Sequence, residues 1–190
     1  MTAGKLLTLP FSLKSPAILI FNAQCFLMKL FFLTFFLFPL GLSAQDCKLK
    51  RTTDPFTKEI KLSTGFIVLQ GASLSIDADS KEIDFFFSIE GSDKCFTDAS
   101  TATVFYEGTK MKANFRNNGT MNCEGFFHII FKNGTATPAL LQRLITQKIV
   151  NIIFTGNNKT QTTIGLNAEQ RQAIMSLGDC LIKEAKTLLK

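Results

Sequence analysis

One histidine, one tyrosine, no tryptophan and a charged fraction of only 19% set the first limits on this 190-residue chain. A single His excludes any site that needs two, such as a His-rich zinc site or a His-dependent metalloprotease helix. Charge is too sparse, and apolar content too high at 46%, for a disordered tail. No C-x-x-C occurs, which removes thioredoxin-like redox chemistry and the usual zinc-knuckle spacing. A G-x-S-x-G elbow, a phosphate loop and a dinucleotide fingerprint are all missing. Neither a low-complexity linker nor a long-period repeat divides the sequence, and its length allows one ordinary domain.

Phenylalanine is what the chain has in excess. Of twenty, eight precede residue 45, namely Phe11, Phe21, Phe26, Phe31, Phe32, Phe35, Phe36 and Phe38. From Met28 the sequence reads MKLFFLTFFLFPLGLSAQ. Lys29 is a short positive region, Leu30 to Leu42 a charge-free apolar stretch, and Ser43–Ala44 a pair of small residues. That is the layout of a cleavable secretory signal over residues 28–45, with cleavage after Ala44 or Gln45. Its apolar core is too short to span a bilayer. Residues 1–27 fit no part of such a signal, and translation is expected to start at Met28. An uncleaved anchor over Ala17–Leu42 would bury Lys29 mid-membrane, at roughly 2.5–3.5 kcal/mol even on a lenient insertion scale. Acylation at Cys47 is disfavoured because Gln45 and Asp46, rather than small residues, precede it.

Removing the leader takes Lys5, Lys14 and Lys29 with it, and the formal charge falls from +6 to +3. Half of the basic excess is thus a targeting feature, and nucleic acid is not an expected partner. The expected product, residues 46–190, keeps four cysteines: Cys47, Cys95, Cys123 and Cys180. An even count in an exported chain reads as two disulfides with three possible pairings. The favoured pairing is Cys47–Cys180, tying the N-terminus to the last helix, with Cys95–Cys123 joining two neighbouring strand or loop ends. On the chain-entropy argument these loops contribute roughly 5 and 3.6 kcal/mol, respectively.

Period-2 alternation dominates the rest. Asp54–Pro55 marks a lead-in loop, Lys48–Lys50–Arg51 a solvated segment, and strands are expected near Glu59–Ser63 and Phe66–Gln70. Ser73–Asp79 and Ile83–Glu90 alternate around a polar turn and form a hairpin. Thr103–Glu107 and Met111–Arg116 form a second. Gly125–Lys132 is the most apolar strand and is expected to be central. Pro138 opens a helix within Ala136–Gln147, with Leu141, Leu144 and Ile145 on one face. Ile149–Thr155 and Thr160–Leu166 return as strands. Asn167 and Gln170 make a capping box for a last helix whose apolar stripe is Ile174, Leu177, Leu181, Ala185 and Leu188. The expected architecture is α+β: a largely antiparallel sheet, a short helix, and a C-terminal helix packed on one face.

Few residues are candidates for chemistry. His128 is the one side chain whose unperturbed titration lies near neutrality. It alternates with Phe126 and Ile130, either as a satisfied core residue or on the less apolar sheet face. Asp77-x-Asp79 fails as a calcium loop, because the fifth, sixth and twelfth positions are Lys81, Glu82 and Ser88. The sequons at Asn118, Asn133 and Asn158 fall in expected turns and read as turn asparagines; a eukaryotic secretory host would make them glycan acceptors. No catalytic, cofactor-binding or metal residues are assigned, and no cofactor is expected.

The leader ending LSAQ, Cys47 followed by Asp54-Pro55-Phe56-Thr57, and the segments Phe105-Tyr106-Glu107-Gly108-Thr109-Lys110 and Asn122-Cys123-Glu124-Gly125 give the chain a resemblance. Leu141–Leu144, Lys148-Ile149-Val150-Asn151-Ile152 and Cys180-Leu181 continue it. With these it resembles short exported proteins of unknown function from Bacteroidetes-type bacteria. The resemblance implies an exported α+β domain and no activity. The expected role is a periplasmic or extracellular, non-enzymatic domain that binds a protein or envelope ligand, with no membrane span once the leader is gone. The alternative is a small periplasmic hydrolase using His128 as base with Asp84, Glu107 or Glu124.

Overall fold

In the computed structural model, residues 47–91 and 94–189 are described. The expected leader and the segment before it lie outside them. Alternating burial produces nine strands among these residues: β1 (Lys50–Thr53), β2 (Ile60–Leu69), β3 (Ala72–Ala78), β4 (Glu82–Ile89) and β5 (Thr101–Tyr106). Then come β6 (Lys112–Arg116), β7 (Phe126–Lys132), helix α1 (Ala139–Thr146), β8 (Ile149–Thr155), β9 (Gln161–Gly165) and helix α2 (Ala168–Lys186). All strand pairs are antiparallel, in two sheets ordered β1-β2-β3-β4-β7 and β6-β5-β8-β9. The fold is α+β, but the single expected sheet is two.

The five-stranded sheet turns one face inward. Leu74, Ile76, Phe85, Phe87, Phe127 and Ile129 are at most 3% exposed. Over β2 and β3 that face is covered by α2, where Gly178 lets the helix come close: a Cβ there would lie 2.7 Å from Ile145 Cγ2 and 3.5 Å from Ile76 Cδ1. Elsewhere the second sheet covers it through edge-to-face rings. Phe154 on β8 packs 5.2 Å from Phe87 and 5.1 Å from Phe127, and Phe115 on β6 lies 6.0 Å from Phe131. Such pairs add about 0.5–1.5 kcal/mol each beyond their area.

The helices start as the sequence signals. Pro138 occupies the N-cap of α1, where no donor is needed, and Leu141, Leu144 and Ile145 are buried. Asn167 and Gln170 exchange both capping-box hydrogen bonds at 2.8 and 2.9 Å. Two strand expectations change. The segments near Glu59–Ser63 and Phe66–Gln70 are one strand, β2, interrupted by a bulge between Ser63 and Phe66. Gly65 there has φ +69°, and Thr64 Oγ1 accepts the Ile76 N–H at 3.0 Å, replacing a ladder bond. The Lys48–Arg51 region, read as merely solvated, contributes β1, a fully exposed edge strand.

β7 is the larger correction. It was expected to be central, yet it is an edge that pairs only with β4. Its two-sided apolarity has a different origin: one side enters the core and the other stays on the outer face. Asparagines blunt its open edge. Asn117 Oδ1 accepts the His128 N–H and the Asn118 N–H donates to the His128 carbonyl, both at 2.9 Å.

Two cysteine pairs brace residues 47–189. Cys47 and Cys180 have Cα atoms 5.9 Å apart, joining the strand-leading segment to α2, and Cys95 and Cys123 lie 3.8 Å apart. Asn133 adds a polar clamp: its buried Nδ2 donates to the Asp79 carbonyl at 2.8 Å and the Ala185 carbonyl at 2.9 Å. Both protons are therefore committed inward, and this sequon is structural.

Candidate functional site

The outer face of the five-stranded sheet carries the most distinctive side chains. Register fixes them in cross-strand rows. Val68, Ser73, Ser88 and Phe126 form the first row; Phe66, Ser75, Phe86 and His128 the second; Ser63, Asp77, Asp84 and Ile130 the third. Beyond these stand Lys61, Glu82 and Lys132 at the charged end. The face thus changes from aromatic to ionic along the strand axis. Phe86 is the hub: its ring lies 6.4 Å from Phe66, 5.4 Å from Phe126 and 4.9 Å from His128. Phe66 is 67% exposed and Val68 74%.

Asp77 and Asp84 face each other across β3 and β4. Like charges in that position are destabilising. Ser75 Oγ donates to the Asp77 carboxylate at 3.0 Å. Asp84 Oδ2 lies 2.7 Å from His128 Nδ1, while its Oδ1 is covered and has no protein partner. Burial holds the Asp84 carboxyl above the usual 3.8, with the Asp77 and Glu82 charges adding to it; the His128 hydrogen bond pulls the other way and loses. Beside these groups opens a cleft of about 370 Å³, lined by Lys50 and Lys61 on one side and by Asp77, Asp79, Glu82 and Asp84 on the other.

His128 therefore lies on the outer face, half-buried and paired with a carboxylate. Of the three acidic residues named with it, the structure brings up Asp84 alone. Glu107 follows β5 of the other sheet, engaged by Arg171 at 3.1 Å and Lys148 at 3.5 Å. Glu124 is exposed in the loop before β7, where its backbone bridges to Lys94. Ser75 and His128 are two strand spacings apart, roughly 9.5 Å, with Phe86 between them, so they form no nucleophile–base pair. Tyr106, buried in the other sheet with no partner for its hydroxyl, is pushed up to about 12 by burial and is no acid or base near neutrality.

Phe66, Val68, Phe86 and Phe126 are the site residues that the reading of candidate chemistry passed over. A signal existed: each occupies the outward register of a strand whose inward register is already apolar, where a soluble sheet ordinarily carries polar side chains. Cys47, Cys95, Cys123 and Cys180 lie outside this face. Among the described residues no three His, Cys, Asp or Glu side chains converge as metal ligands, and no helix is long and apolar enough to cross a membrane. Compared with known proteins, the chain matches no family model, no curated protein and no solved structure.

Proposed function

We propose that this chain is an exported, non-enzymatic binding domain of the periplasm or cell exterior, akin to the short Bacteroidetes-type proteins it resembles. It meets a protein or envelope ligand through the outer face of its five-stranded sheet. The carrying observation is the patch of Phe66, Val68, Phe86 and Phe126, which neither α2 nor the second sheet covers. Contiguous exposed apolar surface of this kind marks interaction sites, whereas single exposed residues such as Phe56 carry no such meaning. Support for export comes from the signal-like leader and from two disulfides, which persist in oxidising compartments.

The test has two parts. Mass spectrometry of the protein made in an exporting bacterium is expected to find an N-terminus near Gln45; a membrane-embedded product starting at Met1 refutes export. Co-sedimentation with a washed envelope fraction is expected to fall at least fivefold in Phe66→Ser/Val68→Ser. Unchanged sedimentation refutes the face. The 2.7 Å Asp84–His128 contact favours a second reading, a hydrolase in which Asp84 orients His128 as base toward water. That reading requires a hydrolytic activity that His128→Gln lowers by roughly 10²–10⁴.

A further inference from the structure

The proposed binding face has two neighbouring halves of different chemistry, and their spacing constrains what lies on it. Phe66 and Phe86 sit in one cross-strand row, Asp77 and Asp84 in the next. Successive same-face positions on a strand are roughly 6.8 Å apart. An extended peptide has the same interval between its side chains i and i+2. An apolar side chain resting on the aromatic row thus puts its i+2 neighbour over the carboxylates.

No lysine or arginine sits directly on the two carboxylates. Among the described residues no Lys or Arg nitrogen comes within 4.0 Å of Asp77 or Asp84, and the Asp84 side chain keeps 21% of its surface exposed although its Oδ1 is covered. Lys50 and Lys61 stand across the cleft on the β1–β2 side, and His128 flanks Asp84 from β7. The open approach is therefore above β3 and β4, beside the Phe86 ring. A guanidinium suits that place better than an ammonium. Its planar fork spans two side-by-side carboxylates, and its face stacks on an aromatic ring.

Resting on the binding-face reading above, we propose that the occupant is an extended segment of a partner protein bearing an apolar side chain and, two residues away in either direction, an arginine. The apolar group packs on Phe66 and Phe86, and the guanidinium bridges Asp77 and Asp84. This complementarity of charge accounts for two carboxylates held opposite each other with no Lys or Arg directly on either. It also accounts for the exposed Phe66 in the neighbouring row.

Fluorescence anisotropy on the protein exported with its own leader tests this. The probes are a labelled Gly-Ser-Phe-Ser-Arg-Ser-Gly peptide and the same peptide with Gln for Arg. The arginine peptide is expected to bind at least about fivefold more tightly, an advantage that shrinks with rising salt. Asp77→Asn should remove most of that advantage, while Phe66→Ser should weaken both peptides. Phe66 is exposed and Asp77 partly so, and circular dichroism checks that the variants fold. Equal binding of the two peptides, with both weakened by Phe66→Ser, overturns the arginine inference and leaves the binding face standing. Indifference of both peptides to Phe66→Ser overturns the face as well. Failure of both peptides to bind, or a dimer that Phe66→Ser dissociates, overturns the inference in favour of another occupant or a second copy.

Discussion

Asp84 sits where burial disfavours its charged form. Burial raises its carboxyl above 3.8, so in the folded chain it keeps its proton to higher pH than in the unfolded chain. The stability this gives the fold is present in full below about pH 3.8 and is lost as the pH rises through the folded value. Asn cannot ionise. Asp84→Asn is therefore expected to gain on the wild type across that window and to level off above it. The gain at neutral pH is about 0.5–1 kcal/mol, the scale of a relieved cross-strand like-charge pair. Urea midpoints from acid to neutral pH measure it, and a variant less stable throughout would mean that the His128 hydrogen bond outweighs the burial. A residue kept against stability is what a functional site looks like.

Among the elements, α2 depends on two small features. Gly178 costs the helix about 1 kcal/mol relative to Ala in propensity. A methyl there would meet the branched, buried Ile145 at 2.7 Å, and overpacking costs about 1–3 kcal/mol. The steric effect wins, so Gly178→Ala is expected to destabilise by roughly 1 kcal/mol in chemical denaturation; a more stable variant would show that α1 yields freely. At the other end, Asn133 holds the β3–β4 turn and the Ala185 carbonyl together. Asn133→Ala leaves both carbonyls without that donor and should cost about 2–3 kcal/mol. Hydrogen exchange should then rise first in the last turn of α2. Uniform protection there would place the clamp's effect elsewhere.

At the scale of the whole molecule, the Cys47–Cys180 bridge closes a 133-residue separation and the Cys95–Cys123 bridge one of 28. The longer loop constrains more of the unfolded ensemble. Replacing Cys47 and Cys180 together by Ser is expected to cost about 2–5 kcal/mol, or roughly 5–20 °C in Tm. Reducing the wild type, which opens both bridges, should lower Tm by at least as much in a thermal scan. A Tm unchanged in both experiments would show that core packing alone suffices. β1 is the sensitive reporter, because it begins three residues after Cys47 and buries none of its own side chains.

Much of this architecture was legible in local pattern. Alternation located most strands, the Asn167–Gln170 spacing located the last helix, and four cysteines implied a braced chain. Such signals are local because pleat, helical period and capping are properties of a few consecutive residues. Alternation assigns a side chain to a face and does not say which strands flank it, so β7 read as central when it is an edge. Nor did it show that Glu59–Ser63 and Phe66–Gln70 are one bulged strand, since the Thr64 hydroxyl that bridges the gap bonds a residue 12 positions on. The candidate site was legible only in part: alternation turned its phenylalanines outward and singled out His128, but did not bring its members together. Asp84 and His128 are 44 residues apart in sequence and meet only because β4 pairs with β7 in one register. Phe66 and Val68 became a patch only because the helices and the second sheet packed on the opposite face. The sequence by itself determined the elements and their inner faces; which outer face stayed uncovered was decided by tertiary packing, because coverage depends on partners far along the chain.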